Sequence, residues 1–488
     1  MLTTTKVETF KNLIGGRWSD SQSGQTFASI NPANKEEIVG YFQASNEEDV
    51  RQAIEAASVA FPPWASTAPS KRASILNNAA DILEQSADTL AQELTREEGK
   101  HVNDARNEVL RSAQTLRFYA VEGQSFTGET FPHDDPNMKV TTEREPLGVV
   151  SVITPWNFPI SIPTRKIGPA LITGNTVVFK PSSDTPLIAF RLVEALQKAG
   201  IPDGVINFVT GKSSEIGDSL VTHKAIKAIT FTGSTAAGED IHNKASFTTR
   251  TQMELGGKNP IIIMDDADLD LAAALTVNGG FSLTGQACTG TSRAIVLKSI
   301  KDAYIHKLIE KTRSLKIGNG FEEGVKIGPV ANHRQIKNIL NYIDIGVREG
   351  ANLLYGGKQI TEGEHAKGYY VEPVIFTDVR PDMRIAQEEI FGPVIAVIEV
   401  STYEEAIKVA NGVDYGLSAS IVTNNLKIAN DFTRQIQAGT VKVNRTTTGN
   451  LMNAPFGGFK KSSTATFRES GRAGLEFFTQ VKTVYVGY

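Results

Sequence analysis

Cysteine is nearly missing from this chain: one stands among 488 residues, at Cys288. A lone thiol excludes an internal disulfide framework and suits a reducing compartment. Long apolar runs are missing too. No run reaches the roughly 18 apolar residues that a membrane helix needs. The most apolar stretch, GVVSVITPWNFPISIP, is broken by prolines, Trp156 and Asn157. The opening MLTTTKVETFKNLIGGRWSD lacks a continuous apolar core and does not read as a secretory signal. Charge of one sign is scarce. Fifty Lys and Arg against 54 Asp and Glu leave a net charge of −4. No dense basic run exists, which argues against a nucleic-acid surface and against a polybasic membrane anchor. The 7 histidines lie scattered, with no pair one helical turn apart, so no metal site is expected. A cytoplasmic protein that binds no metal, nucleic acid or membrane is the expectation.

What is present is organised. The length suggests about three domains. Residues 46–122 carry apolar residues at helical spacing, in EEDVRQAIEAASVAFPPW and SKRASILNNAADILEQSADTLAQELTREEGK, with Ser70 as the expected N-cap of the second run. After residue 147 the pattern changes. GVVSVIT, NTVVFKP, GVINFVTG and AIKAITFTG are short apolar runs, each followed by helical sequence. The alternation returns at NPIIIM, RAIVLK, PVIAVIEV and SASIVTN. Two successive α/β units with parallel sheets are the simplest reading. MKVTTEREPLG and the tail FTQVKTVYVGY are extended segments outside both units, candidates for an arm that pairs subunits.

The lone cysteine sits in GFSLTGQACTGTSR, where Gly285, Ala287 and Gly290 leave room around a sulfur. Most lone cysteines are buried small hydrophobes. A thiolate nucleophile needs open approach and donors for the oxyanion it creates. Glu254 in MELGGKNP, beside paired glycines, is a candidate base, or a surface carboxylate in a turn. Asn157 in TPWNFP follows a strand, where ligands bind in α/β sheets. It is a candidate oxyanion donor, or a helix N-cap ahead of Pro159. Lys180 in NTVVFKPSSDTP ends another strand and suits ribose or phosphate. Gly233 and Ser234 in ITFTGSTAAG open a helix and suit a pyrophosphate. Their spacing is not the usual dinucleotide fingerprint. TGKSS at 210–214 resembles the end of a phosphate loop, but that loop needs Gly where Ile206 stands.

Taken in order, TPWNFP, GNTVVFKPS, FTGS, MELGGKNP, GQACTG, EEIFGPV and PFGG resemble the aldehyde dehydrogenase superfamily along essentially the whole chain. The resemblance implies an α/β fold with a Rossmann-like cofactor domain over 1–124 and 147–256. A catalytic domain over 257–461 and a β arm from 125–146 and 477–488 follow, the arm building a homodimer or homotetramer. It implies roles as well. Cys288 becomes the nucleophile and Glu254 the base that activates water. Asn157, with the Cys288 N–H, becomes the oxyanion donor, and Lys166 a further catalytic group. The cofactor contacts it implies are Ile153, Thr154, Pro155, Trp156, Lys180, Ser182, Ser183, Gly233, Ser234, Leu255, Glu389 and Phe391.

Two departures from the family pattern stand out. Enzymes of this family that use NAD often carry Glu where this chain has Ser183, so NADP is expected as the preferred cofactor, with NAD usable. The usual PFGG-x-K-x-S-G-x-G-R-E becomes PFGGFKKSSTATFRE, about two residues longer, which bears on Glu469. Phe158, Ser161, Ile162 and Arg165 fall at helical spacing on one face and are expected to line a substrate tunnel. Arg111, Thr289, Arg445 and Phe456 are expected beside them. The TRK at 164–166 and the tail resemble the α-ketoglutaric semialdehyde (2,5-dioxopentanoate) dehydrogenases of sugar-acid breakdown. That resemblance implies a small aldehyde acid as substrate. Succinate semialdehyde oxidation, a broad-specificity or coenzyme A-acylating relative, and a non-catalytic binding protein remain alternatives.

Overall fold

A computed structural model describes residues 7–488; the first six residues of the N-terminal stretch discussed above lie outside it. The first α/β unit is a seven-stranded sheet. Its order is 250–254, 226–232, 149–153, 176–180, 206–208, 12–14 and 17–19. The first five strands are parallel, and the last two close the edge antiparallel. Val149–Ile153 and Thr176–Lys180 are buried at every residue, as β-branched runs covered on both faces should be.

One face is covered by helices 69–85, 87–98, 102–125, 161–172 and 186–198 through a core that includes Leu76, Leu94, Leu116, Ile167 and Leu192. The other face is covered by helices 47–65 and 213–222 through Val50, Ile54, Ile216 and Leu220. Ser70 does not cap its helix. The helix begins at Pro69, whose fixed φ suits the first position, after Ala68 with no side-chain cap. The long helical run that follows breaks at Ser86 into two helices.

The second unit is also seven-stranded, ordered 352–355, 374–377, 394–400, 291–297, 259–263, 418–422 and 440–443. It is parallel except at the 352–355 edge. A third, small sheet joins the chain's middle to its end. Strand 479–487 pairs antiparallel with 138–146, from Thr479 opposite Pro146 to Gly487 opposite Met138. Phe477 and Phe478 do not join it; both are buried in the first core. The Asn175 side chain fastens this junction. It accepts from the Leu147 and Gly148 N–H groups at 2.8 and 3.0 Å and donates to the Phe478 carbonyl at 2.9 Å.

Register determines where chemistry can occur. In the first sheet Ile153 pairs with Lys180 and Phe231, and Thr232 pairs with Glu254. The C-terminal ends of four parallel strands therefore meet along one edge, the usual ligand edge of such sheets. The second unit presents its opposite edge. Cys288 precedes strand 291–297, Gly257 and Lys258 precede 259–263, and Phe391 precedes 394–400.

Candidate active site

Helix 269–281 ends in a turn where Leu283, Thr284 and Gly285 take φ of 52°, 56° and 69°. Two of these are not glycine, and each left-handed residue of that kind costs about 1–3 kcal/mol. Neighbours hold the turn. The Thr284 hydroxyl donates to the Gly328 carbonyl at 3.1 Å, and the Gln286 amide oxygen accepts from the Ala331 N–H at 3.0 Å. The turn delivers Cys288 to a cavity wall. The Cys288 carbonyl accepts from Asn259 Nδ2 at 2.8 Å. Gly257 passes over that carbonyl so closely that a Cβ there would lie 2.5 Å from it. The paired glycines of MELGGKNP thus fit the Cys288 loop against the neighbouring strand.

Burial pushes the Cys288 thiol up to about 12. The Arg165 guanidinium pulls the other way, while Glu389, Glu254 and Glu469 add to the rise. Asn157 is buried and caps no helix, since the helix after it starts at Ser161. Its Nδ2 donates to the Gln286 carbonyl at 2.9 Å, which ties it to the nucleophile loop. Lys100 and Glu108 hold this segment from behind. Lys100 Nζ donates to the Asn157 carbonyl at 2.8 Å and to Glu108 at 2.5 Å. The other Glu108 oxygen accepts from the Ile160 and Ser161 N–H groups at 3.2 Å each. The sequence carried no signal for this pair, because charges on a helical stretch read as a solvated face.

Glu254 ends its strand, buried, and lines neither of the two large cavities. Ser463 Oγ donates to Glu254 Oε1 at 3.4 Å, and Oε2 has no partner. Burial first, then the nearby Glu469 charge, holds the Glu254 carboxyl well above the usual range. Lys166 is also fully buried; it donates to Thr230 Oγ at 2.9 Å and lies 3.7 Å from Glu469 Oε1. Burial lowers its ammonium pKa against the opposing pull of Glu469 and Glu254. The lengthened PFGG segment therefore supplies Ser463 beside Glu254, and Glu469 remains paired with Lys166.

The cavity holds about 320 Å³. Phe158, Ser161, Ile162, Arg165, Arg111, Thr289 and Phe456 line it with Cys288. The four residues at helical spacing thus share one wall, although Phe158 precedes the helix. Arg445 is not brought to the wall. It is exposed, because the chain turns at Asn444 with φ 52°, and Thr448, Gly449 and Asn450 line the cavity instead. Arg165 Nε is buried without a partner, and its guanidinium sits 5.7 Å from the Phe456 ring centroid. Burial and the Arg165 charge together lower the Arg111 pKa.

A second cavity, of about 890 Å³, opens at the strand ends. Ile153, Thr154, Pro155, Trp156, Lys180, Ser182, Ser183, Gly233 and Ser234 all line it. Lys180 is buried down to a pKa of about 8, with only the Pro181 carbonyl as acceptor, at 3.1 Å. Ser234 caps helix 235–244, whose free N–H groups face the cleft. A cation, hydroxyls and a helix N-terminus fit ribose and diphosphate. Lys212 and Arg334 line the cleft as well. Lys212 belongs to the TGKSS stretch.

Leu255, Glu389 and Phe391 are not on that wall. Leu255 is buried in the adjoining core. Phe391, at φ 58°, meets Trp156 edge-on at 5.4 Å. Glu389 accepts from the Gly257 N–H at 2.8 Å, and burial raises its pKa to about 7.

The aldehyde dehydrogenase family model matches residues 18–484. The chain is 45% identical to an alpha-ketoglutaric semialdehyde dehydrogenase of Bacillus subtilis, over 100% of both chains. It is 46% identical to a 2,5-dioxopentanoate dehydrogenase of Saccharolobus solfataricus, over 96% of this chain and 97% of that one. The solved NAD-dependent aldehyde dehydrogenase of Sinorhizobium meliloti superposes with a TM-score of 0.95 at 35% identity, covering 98% of this chain and 95% of that chain.

The raised thiol has a measurable consequence. Without cofactor or aldehyde, inactivation by iodoacetamide should keep accelerating as pH rises past 9, with no plateau in the ordinary thiol range of about 8.5. Arg165→Leu removes the charge that favours the thiolate, so it should slow alkylation at every pH. Rate constants measured from about pH 7 to 10 check this; a plateau below pH 8 contradicts it.

Proposed function

Because the chain belongs to the aldehyde dehydrogenase family, we propose that it oxidises 2,5-dioxopentanoate to 2-oxoglutarate, accepting NADP as well as NAD. The observation that carries the acid-aldehyde reading is Arg165 Nε, buried and unpartnered on the wall that holds Cys288. A guanidinium out of water is costly unless it meets an anion, and it holds a carboxylate through two parallel hydrogen bonds. Arg111 stands on the same wall. The names carried by the two relatives agree with this chemistry.

The steps follow from the groups present. Cys288 Sγ bonds to the aldehyde carbon and loses its proton. The aldehyde oxygen takes the electron pair of its π bond. Asn157 Nδ2 and the Cys288 N–H, which meets no protein acceptor among the described residues, hold that oxyanion. The residues of the larger cleft would hold a nicotinamide cofactor, which when bound would supply the hydride acceptor. Loss of hydride leaves a thioester on Cys288. Glu254 takes a proton from water as the water oxygen adds to the thioester carbon. The C–S bond then breaks, returning the cysteine and releasing the acid. A water-activating base at this position favours hydrolysis over transfer to coenzyme A.

NADP acceptance rests on charge. Ser183 stands where a carboxylate would repel a 2′-phosphate, and its hydroxyl donates to the Gly211 carbonyl at 3.0 Å. Lys180, Lys212 and Arg334 line the same cleft. Subunit pairing rests on the arm, where strand 479–487 is a sheet edge exposing Val481, Tyr485 and Val486.

Arg165→Leu should raise KM for 2,5-dioxopentanoate and succinate semialdehyde by about 10–100-fold, the worth of a charged hydrogen-bonded contact, and leave the KM for hexanal unchanged, the weaker thiolate lowering kcat for all three. Equal effects on KM for acid and neutral aldehydes, or a wild type that prefers hexanal, overturn the substrate assignment. Ser183→Glu should shift kcat/KM towards NAD by at least about tenfold; an enzyme inert with NADP from the start refutes the cofactor argument. Replacing Val481 and Tyr485 with Asp should lower the sedimentation mass towards that of one chain. An unchanged mass removes the arm from subunit pairing.

A further inference from the structure

Lys442 lies on the edge strand 440–443 of the second sheet, half-buried. Its Nζ reaches three consecutive carbonyls, those of Thr447, Thr448 and Gly449, at 2.9, 2.5 and 2.6 Å. An ammonium has three donors, and here all three are used on one turn of backbone. Among the described residues no carboxylate pairs with it. Burial alone acts on its charge and lowers the pKa to about 8. A cation withdrawn from water without a counter-ion is a cost that its three acceptors must offset.

The turn it grips belongs to the aldehyde cavity. Thr448, Gly449 and Asn450 line that cavity, and Asn450 Oδ1 is buried with no protein partner. The base of the loop has other anchors. Thr447 Oγ donates to the Thr289 carbonyl at 2.7 Å, and Ser418 Oγ donates to the Thr447 carbonyl at 2.7 Å. Beyond Thr447, apart from a Thr446–Thr448 hydroxyl contact of 3.3 Å, only Lys442 holds the apex.

We infer that Lys442 is a positioning residue: its three-carbonyl grip holds the 447–450 turn against the cavity and sets how long an aldehyde the cavity accommodates. The inference rests on reading that cavity as the aldehyde site. It does not depend on the aldehyde being acidic.

The experiment compares chain lengths. Steady-state kcat and KM are measured for propanal, hexanal and succinate semialdehyde with wild type, Lys442→Met and Lys442→Arg. Lys442→Met should raise KM for hexanal and succinate semialdehyde about tenfold or more, while both constants for propanal stay within about twofold. Lys442→Arg, which restores several donors, should recover most of the loss. An equal rise for propanal, or no rise for any aldehyde, overturns the inference. Should the Met variant not accumulate, Lys442→Gln keeps two donors and is scored by the same long-to-short ratio, with an unchanged ratio counting against the proposal. Wild-type preference between hexanal and succinate semialdehyde tests the acid-substrate reading separately, so the two ideas can fail independently.

Discussion

Charge withdrawn from water at the seam between two sheet edges is the constraint around which this molecule is arranged. The ligand edge of the first sheet brings Lys180 and Glu254 to the seam, and the opposite edge of the second brings Lys258 and Glu389. A buried charge left alone costs several kcal/mol, so such groups must be paired, neutral or awaiting a ligand. Lys100 and Glu108 are paired, and Glu108 also caps the helix that carries Arg165. Lys166 is shared between Thr230 and Glu469. Arg165 Nε, Lys258 Nζ and Glu254 Oε2 remain without partners. Of these, Arg165 lines the cavity that holds Cys288, where an unpaired group is expected if stability is sacrificed at a functional site.

The same constraint links the nucleophile to its surroundings. A thiol raised to about 12 is unreactive. It lies between one guanidinium that favours its ionisation and three carboxylates that oppose it. A protonated Glu254 or Glu389 would remove part of that opposition. Burial raises both, Glu389 to about 7. Placing positive charge in the site breaks that balance towards the thiolate.

Much of this was legible in the sequence, and the reasons are physical. Short β-branched runs ending in Ile153, Lys180 and Thr232 announced parallel strands, and parallel strands place their ends together. Phe158, Ser161, Ile162 and Arg165 share a wall because helical periodicity is a property of spacing alone. Other features depend on contacts that spacing does not encode. Lys100 and Glu108 looked like solvent-facing charges until a neighbouring segment buried them. Arg445 was expected at the cavity from its place in the loop, but the left-handed turn at Asn444 directs the next residue outward. Ser70 failed as a cap because Pro69 starts the helix one residue earlier.

The two faces of the aldehyde cavity are built by different rules. One wall is a helix anchored through Glu108 and Asn157, so its side chains are held by buried hydrogen bonds to rigid elements. The facing turn at 447–450 has no regular backbone pairing, and carbonyls gathered on one ammonium take its place. Its base reaches the Thr289 carbonyl, one residue beyond the nucleophile. Substitutions in the turn can therefore alter what the cavity admits while Cys288 remains anchored by the Asn259 contact to its carbonyl. The segment beside Cys288 and the turn at 447–450 are thus held by separate sets of hydrogen bonds.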